Sequence, residues 1–146
     1  MIRGPLRLRS PEPLEDEIHV NCARSLDALL LPPALWFTYP AGVHLGPAQQ
    51  AKCYQIGLKR GLPDIWVLYG GVYCVELKRH GGRLSKTRVI RTKRGSPRIL
   101  DGQEDVFKRL LETGAVEDIA ICYSADDMLG QLAAWGIPLR TRIVPS

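Results

Sequence analysis

The chain has 146 residues, 45% of them apolar and 24% charged, and carries a net charge of +5. That balance suits one domain with its own core and excludes a low-complexity or disordered chain. No stretch reaches the ~20 continuous apolar residues of a membrane span, because the best run, ALLLPPALWF, is broken by Pro32 and Pro33.

The opening MIRGPLRLRSPEP has charge and proline but no apolar segment, so residues 1–13 read as a loose basic leader and not as a signal peptide. From residue 14 onward one folded domain is expected, to residue 146. In LEDEIHVNCARSLDALL, Leu14, Ile18, Cys22, Leu26 and Leu29 recur at helical intervals, with acids crowded into the first turn where the helix dipole favours them. ALWFTY (34–39) predicts a strand stopped by Pro40, and GPAQQAKCYQIGLKRG a short helix closed by Gly57 or Gly61.

DIWVLY and VYCVEL predict two strands joined at Gly70-Gly71. Trp66, Leu68 and Cys74 fall on one face, and Ile65, Val67, Tyr73 and Val75 on the other, so the sheet is expected to be covered on both sides. DGQEDVFKRLLETG predicts a helix with Asp101 as N-cap, Glu104 three residues later, and Val106, Phe107, Leu110 and Leu111 as its buried stripe. VEDIAICYS predicts a strand and ADDMLGQLAAWG a last helix. The order gives an α/β sandwich around a mixed sheet.

Cys22, Cys53, Cys74 and Cys122 show no metal-finger spacing and are expected to pack as small apolar side chains in a reducing cytosol. His19, His44 and His80 are too scattered for a metal cluster. The charge, by contrast, is concentrated. Arg79, Arg83, Lys86, Arg88, Arg91, Lys93, Arg94 and Arg98 lie between residues 79 and 100 with no acid among them, so the rest of the chain is net acidic. A solvated loop is the bland reading of such a run; a polyanion is the partner it fits if an active site lies alongside.

Asp64, Glu76 and Lys78 sit at the ends of the two apolar strands, next to that basic run. Alone, such a trio is an ordinary surface pair and a turn aspartate; here, burying three ionised groups requires a shared partner, and a divalent metal is one. Glu76 and Lys78 share a strand face. An odd-numbered loop, such as Gly70-Gly71-Val72, brings Asp64 opposite Lys78 on that face, whereas a two-residue loop does not. Asp64 and Glu76 then offer oxygen ligands to Mg²⁺ or Mn²⁺, the Leu77 carbonyl adds another, and Lys78 orients a water or neutralises developing charge. An acid from the first helix could join them. Helical phase favours Glu15 over Glu17.

These residues resemble the virus-type replication-repair nuclease (VRR-NUC) domain of the PD-(D/E)XK superfamily. The resemblance rests on GLPD ending in Asp64, VELK carrying Glu76 and Lys78, GGRLS (81–85), Gln103 in the next helix and the closing WGIP, and it spans about residues 15–138. It implies a restriction-endonuclease-like α/β/α sandwich, Asp64 and Glu76 as metal ligands, Lys78 as catalytic lysine, Gln103 as a supporting polar residue, and an acid of the first helix, Glu15 or Glu17, completing the site. Such relatives carry the glutamine a few residues after the LS, whereas here residues 86–102 intervene as a basic insertion that could form a hairpin arm about RGSP. Arg79, Arg83, Ser85, Lys86, Arg88, Arg91, Lys93, Arg94 and Arg98 are the expected DNA contacts.

The implied function is a metal-dependent DNA endonuclease acting in DNA repair on branched DNA such as a Holliday junction, working as a homodimer in the cytoplasm of a bacterial or phage-infected cell. The alternatives are a nucleic-acid-binding module that keeps the nuclease fold without turnover, and a protein-interaction domain whose basic arm meets an acidic partner.

Overall fold

A computed structural model describes residues 14–39, 45–91 and 95–141. The expected leader, His44, Lys93 and Arg94 lie outside the described residues. The described chain is an α/β domain with four helices and a mixed four-stranded sheet in the order β1-β2-β3-β6. Its elements are α1 (Glu15–Leu29), β1 (Leu35–Thr38), α2 (Pro47–Gln55), β2 (Ile65–Leu68), β3 (Val72–Leu77), β4 (Arg88–Ile90), β5 (Arg98–Leu100), α3 (Gln103–Glu112), β6 (Val116–Cys122) and α4 (Ala125–Ala134). Among the described residues, no helix is long and apolar enough to cross a membrane.

Strand alternation divides the sheet into two different faces. Ile65 and Val67 of β2 and Val75 and Leu77 of β3 point to one side and pack against Ile18, Cys22 and Leu26 of α1 and Met128 and Leu132 of α4. This is the main core. The other side carries Trp66, Cys74 and Glu76, and there Gln103 at the start of α3 reaches the sheet. The expectation of a sheet covered on both faces holds only in part: on the second face Cys74 and Glu76 are buried, but Leu35, Phe37 and Ile121 at its edges are exposed. The buried thiols behave as expected for packing groups: burial above all pushes Cys22 and Cys74 up to about 12 and Cys122 to about 11.

The β2–β3 hairpin has the odd loop expected, but displaced. Leu68 pairs with Val72, so the connection is Tyr69-Gly70-Gly71 rather than Gly70-Gly71-Val72. Gly70 takes φ +59°, a left-handed conformation that side-chain-bearing residues rarely adopt, and the Tyr69 N–H donates to the Gly71 carbonyl at 3.0 Å. The shift of two residues preserves every face. It also brings Asp64 level with Glu76, not with Lys78.

The basic insertion forms a separate two-stranded ribbon, β4 antiparallel to β5, with Val89 opposite Ile99. The cap of α3 differs from expectation because of it. The helix begins at Gln103 with Gly102, not Asp101, at the N-cap position, and no side chain of the cap residue serves it. Instead the Gln103 N–H donates to the Ser85 hydroxyl at 3.0 Å and the Glu104 N–H to the Ser85 carbonyl at 3.2 Å. Gly102 permits this, since a Cβ there would lie 2.2 Å from the Lys86 carbonyl carbon and 2.4 Å from the Thr87 nitrogen. Asp101 reaches Arg109 instead, and Leu111 is exposed while Val106 and Phe107 are buried.

Gly102→Ala is therefore expected to destabilise the domain by about 1–3 kcal/mol, because backbone and not a flexible side chain must yield. Gly130 in α4 has open space around its Cβ position, and Gly130→Ala is expected to stabilise by about 0.5–1 kcal/mol through helix propensity. Urea unfolding of both variants checks the pair; equal effects of the same sign contradict the assigned packing.

Candidate active site

The end of the hairpin away from its loop faces a cavity of about 690 Å³. Asp64, Glu76 and Lys78 lie on it with Ser85, Lys86, Arg88 and Gln103, and it is completed by Glu15 from α1, Gln50 and Tyr54 from α2, and Arg60. Residues far apart in sequence thus meet at the end of β3. Glu17 does not meet them. It lies with Asp16, Val20, Asn21 and Arg24 in another shallow depression, because two residues turn an α-helix by about 200°. Arg79, Arg83, Arg91 and Arg98 are exposed and are not among the residues lining this cavity.

Glu76 is only 3% exposed, and its two oxygens differ. Oε1 accepts from Gln103 Nε2 at 2.5 Å and sits 3.5 Å from Lys78 Nζ. Oε2 is buried and has no hydrogen-bond partner. A carboxylate oxygen without a partner in a desolvated place costs far more than a surface one, so this atom calls for a donor or a cation.

Asp64 lies beside it. Its Oδ2 accepts from the Leu77 N–H at 2.9 Å, which fixes the carboxylate where β2 has ended and β3 continues. The Lys78 N–H donates to the Cys122 carbonyl, toward β6, so the backbone groups of Leu77 face the opposite, Asp64 edge. The Leu77 carbonyl therefore shares that edge with the Asp64 carboxylate, while its side chain enters the core on the far face.

Burial is the first cause raising the Asp64 carboxyl above its ordinary value, opposed by the Leu77 N–H and the nearby His19 and Lys78 charges. Burial and then the Asp64 charge push Glu76 up to about 8, against the pull of Lys78 and Gln103. The Asp64 charge disfavours ionisation of Glu76, whereas the Glu76 side chain lowers the Asp64 carboxyl, so it is Glu76 that favours keeping a proton near neutral pH.

Gln103 links this pair to the basic arm. Its Nε2 holds Glu76, and its Oε1 accepts from the Ser85 N–H at 3.2 Å. The intervening 17 residues loop out and return without disturbing the contact. The Thr87 hydroxyl accepts from the Gly102 N–H at 2.9 Å and donates to the Asp105 carboxylate, which fastens the base of the ribbon to α3.

His19 was not singled out by its sequence position. Thr38 donates its hydroxyl hydrogen to the Asp64 carbonyl at 2.8 Å, so at 2.9 Å it accepts from His19 Nε2. The available signal was spacing: His19 follows Glu15 by one helical turn. Gln50, Tyr54 and Arg60 were also missed, and their approach to the cavity depends on how α2 folds back.

Two carboxylates, a carbonyl on the same edge and an orphaned buried oxygen fit a hard divalent cation, which takes one or two carboxylates and completes its shell with water and substrate oxygens. Among the described residues, no three His, Cys, Asp or Glu side chains converge as a metal-holding group. No family model, curated protein or solved structure matches this chain.

The raised carboxyls set a sign for stability. Their contribution is complete below the ordinary carboxylate range and is lost as pH rises toward 8, where the folded pair must ionise while buried. Glu76→Gln is expected to match wild type within about 0.5 kcal/mol at pH 5 and to be more stable by about 1–3 kcal/mol at pH 8.5 without divalent ions. Thermal melts at both pH values measure this. A pH-independent difference argues against a desolvated pair.

Proposed function

We propose that this chain is a metal-dependent DNA endonuclease of the VRR-NUC kind, with the α/β/α plan of restriction-endonuclease-like proteins. The observation that carries the reading is the buried Glu76, with one oxygen unpartnered, beside Asp64 and Lys78 in a cavity that Arg60, Lys86 and Arg88 also line. Asp64, Glu76 and the Leu77 carbonyl would hold Mg²⁺ or Mn²⁺. When bound, that ion supplies Lewis-acid polarisation of a phosphate and a source of acidic water.

The other tasks belong to the chain. Lys78 places an ammonium where negative charge develops on the phosphate, and Gln103 keeps the Glu76 carboxylate in one orientation. Glu15 stands at the cavity wall as an acceptor for a water or its proton. Lys86 and Arg88 attract the sugar–phosphate backbone into the cavity, and Arg91 and Arg98 extend that attraction along the ribbon.

A ribbon set beside the site, and not inside it, suits DNA that departs from a straight duplex. Branched DNA, including four-way junctions, is the proposed substrate. A homodimer would supply two such sites for paired incisions across a two-fold axis.

A second reading, a DNA-binding module without turnover, draws on the convergence of only two acidic side chains at the centre, with Glu15 at the wall. Labelled four-way, flap, splayed-arm and linear DNAs incubated with Mg²⁺ or Mn²⁺ distinguish the two. Cleavage is expected, with a preference for branched forms, and Lys78→Ala and Asp64→Asn are each expected to lower the rate at least about 100-fold while binding persists. Cleavage by Lys78→Ala at the wild-type rate refutes the site assignment, and binding by wild type without cleavage supports the second reading. Replacing Arg88, Arg91 and Arg98 together by alanine should reduce the slope of log affinity against log salt by roughly 2–3. An unchanged slope removes the ribbon from the DNA interface.

A further inference from the structure

A second cavity, of about 540 Å³, adjoins the first, and Tyr54, Arg60 and Leu62 contribute to the walls of both. Its chemistry is different. Leu58, Leu62, Ile99, Val106 and Leu110 make it mainly apolar, and Tyr54 sets an aromatic ring where it meets the candidate active site. Lys59, Arg60 and Arg109 stand around it as cations, and Asp101 adds a carboxylate. Ile99 is 69% exposed although it belongs to this wall, so the ribbon leaves the chamber open instead of closing it.

Resting on the nuclease reading above, we propose that this chamber receives the base of one unstacked nucleotide of the DNA next to the phosphate held at Asp64 and Glu76. A base has two apolar faces and a polar edge, and it stays tied to anionic phosphates. Apolar walls, one aromatic ring, the Asp101 carboxylate, which lies 3.4 Å from Arg109, and cations along the lining match those features together. A purely apolar ligand gives the cations no role. A base within a continuous duplex enters only at the cost of unstacking and unpairing, whereas a nucleotide at a bulge or branch is already released and enters at least cost. The substrate class is therefore DNA carrying an unpaired or readily unstacked nucleotide beside the cut.

The test uses the full chain with Ca²⁺ replacing Mg²⁺, and three DNAs of equal length: a continuous duplex, a duplex with a single-nucleotide bulge, and the same bulge made abasic. The base-bearing bulge is expected to bind about tenfold more tightly than either of the others, the effect of about 1.4 kcal/mol and within the range for stacking one base on an aromatic side chain. Leu58→Trp, which fills the chamber, should bring the base-bearing bulge to the affinity of the abasic one, with a thermal melt reporting its fold. Equal affinity of wild type for the two bulges overturns the proposal, and an apolar peptide or lipid as the true occupant gives that result. A Mg²⁺ cleavage arm separates the two readings. Cleavage without base preference removes the chamber and leaves the nuclease, base preference without cleavage does the reverse, and no binding to any DNA removes both.

Discussion

The organising constraint of this molecule is the burial of Glu76 beside Asp64. An aliphatic residue at position 76 would continue the apolar pattern of β3 and remove the cost of desolvating a carboxyl group. The fold instead surrounds the carboxyl with specific partners: Gln103 and Lys78 on one oxygen, and the Leu77 N–H on the neighbouring aspartate. Three of these four groups come from one hairpin, whose geometry is set by Gly70 in its loop. The fourth comes from α3. The remaining oxygen, Oε2, is the one the protein leaves unsatisfied. Stability alone does not account for such an arrangement; the cation of the proposed function would.

The same constraint explains how the basic ribbon is attached. If Glu76 depends on Gln103, the start of α3 must be fixed, and an inserted segment immediately before it threatens that position. The chain resolves this by making the insertion cap the helix. Ser85 on the incoming side satisfies the first N–H groups of α3, Thr87 takes the Gly102 N–H, and the absent Cβ of Gly102 lets the two segments touch. The base of the ribbon is thus part of the site.

Much of this was legible in the sequence because it depends on period. The four-residue spacing of Ile18, Cys22 and Leu26 defines a buried helix face, and the alternation through Ile65, Val67, Val75 and Leu77 defines the core side of the sheet. The same helical phase separates Glu15 from Glu17. What escaped was whatever depends on distances across the chain. Face parity fixes only whether a hairpin loop is odd, so Tyr69-Gly70-Gly71 and Gly70-Gly71-Val72 satisfy the same pattern, and the partner of Asp64 changes from Lys78 to Glu76 between them. Asp101 has the chemistry of a cap, yet Ser85, distant in sequence, takes that role because Gly102 admits the backbone of residues 86–87. The apolar chamber left no mark at all, since Tyr54, Leu58, Ile99 and Leu110 meet only when α2, the ribbon and α3 are folded together.

Electrostatics brings the two halves of the site into apparent conflict. Residues 79 to 100 carry eight cations and no acid, and Lys86 and Arg88 of this run line the cavity, where they would draw the proposed polyanion. At its floor the same polyanion would meet Asp64 and Glu76, and Glu15 and Asp101 add further acids at the wall. With those carboxyls ionised, a phosphate would be attracted at long range and repelled at contact. Two changes reduce the repulsion: a retained proton, which the raised carboxyls favour, or a divalent cation. One proton on the pair still leaves a single negative charge at the floor. The cation of the proposed function would reverse the sign of the floor and give the orphaned oxygen a partner. Under that proposal, attraction at the arm and coordination at the floor would act on a phosphate in the same direction.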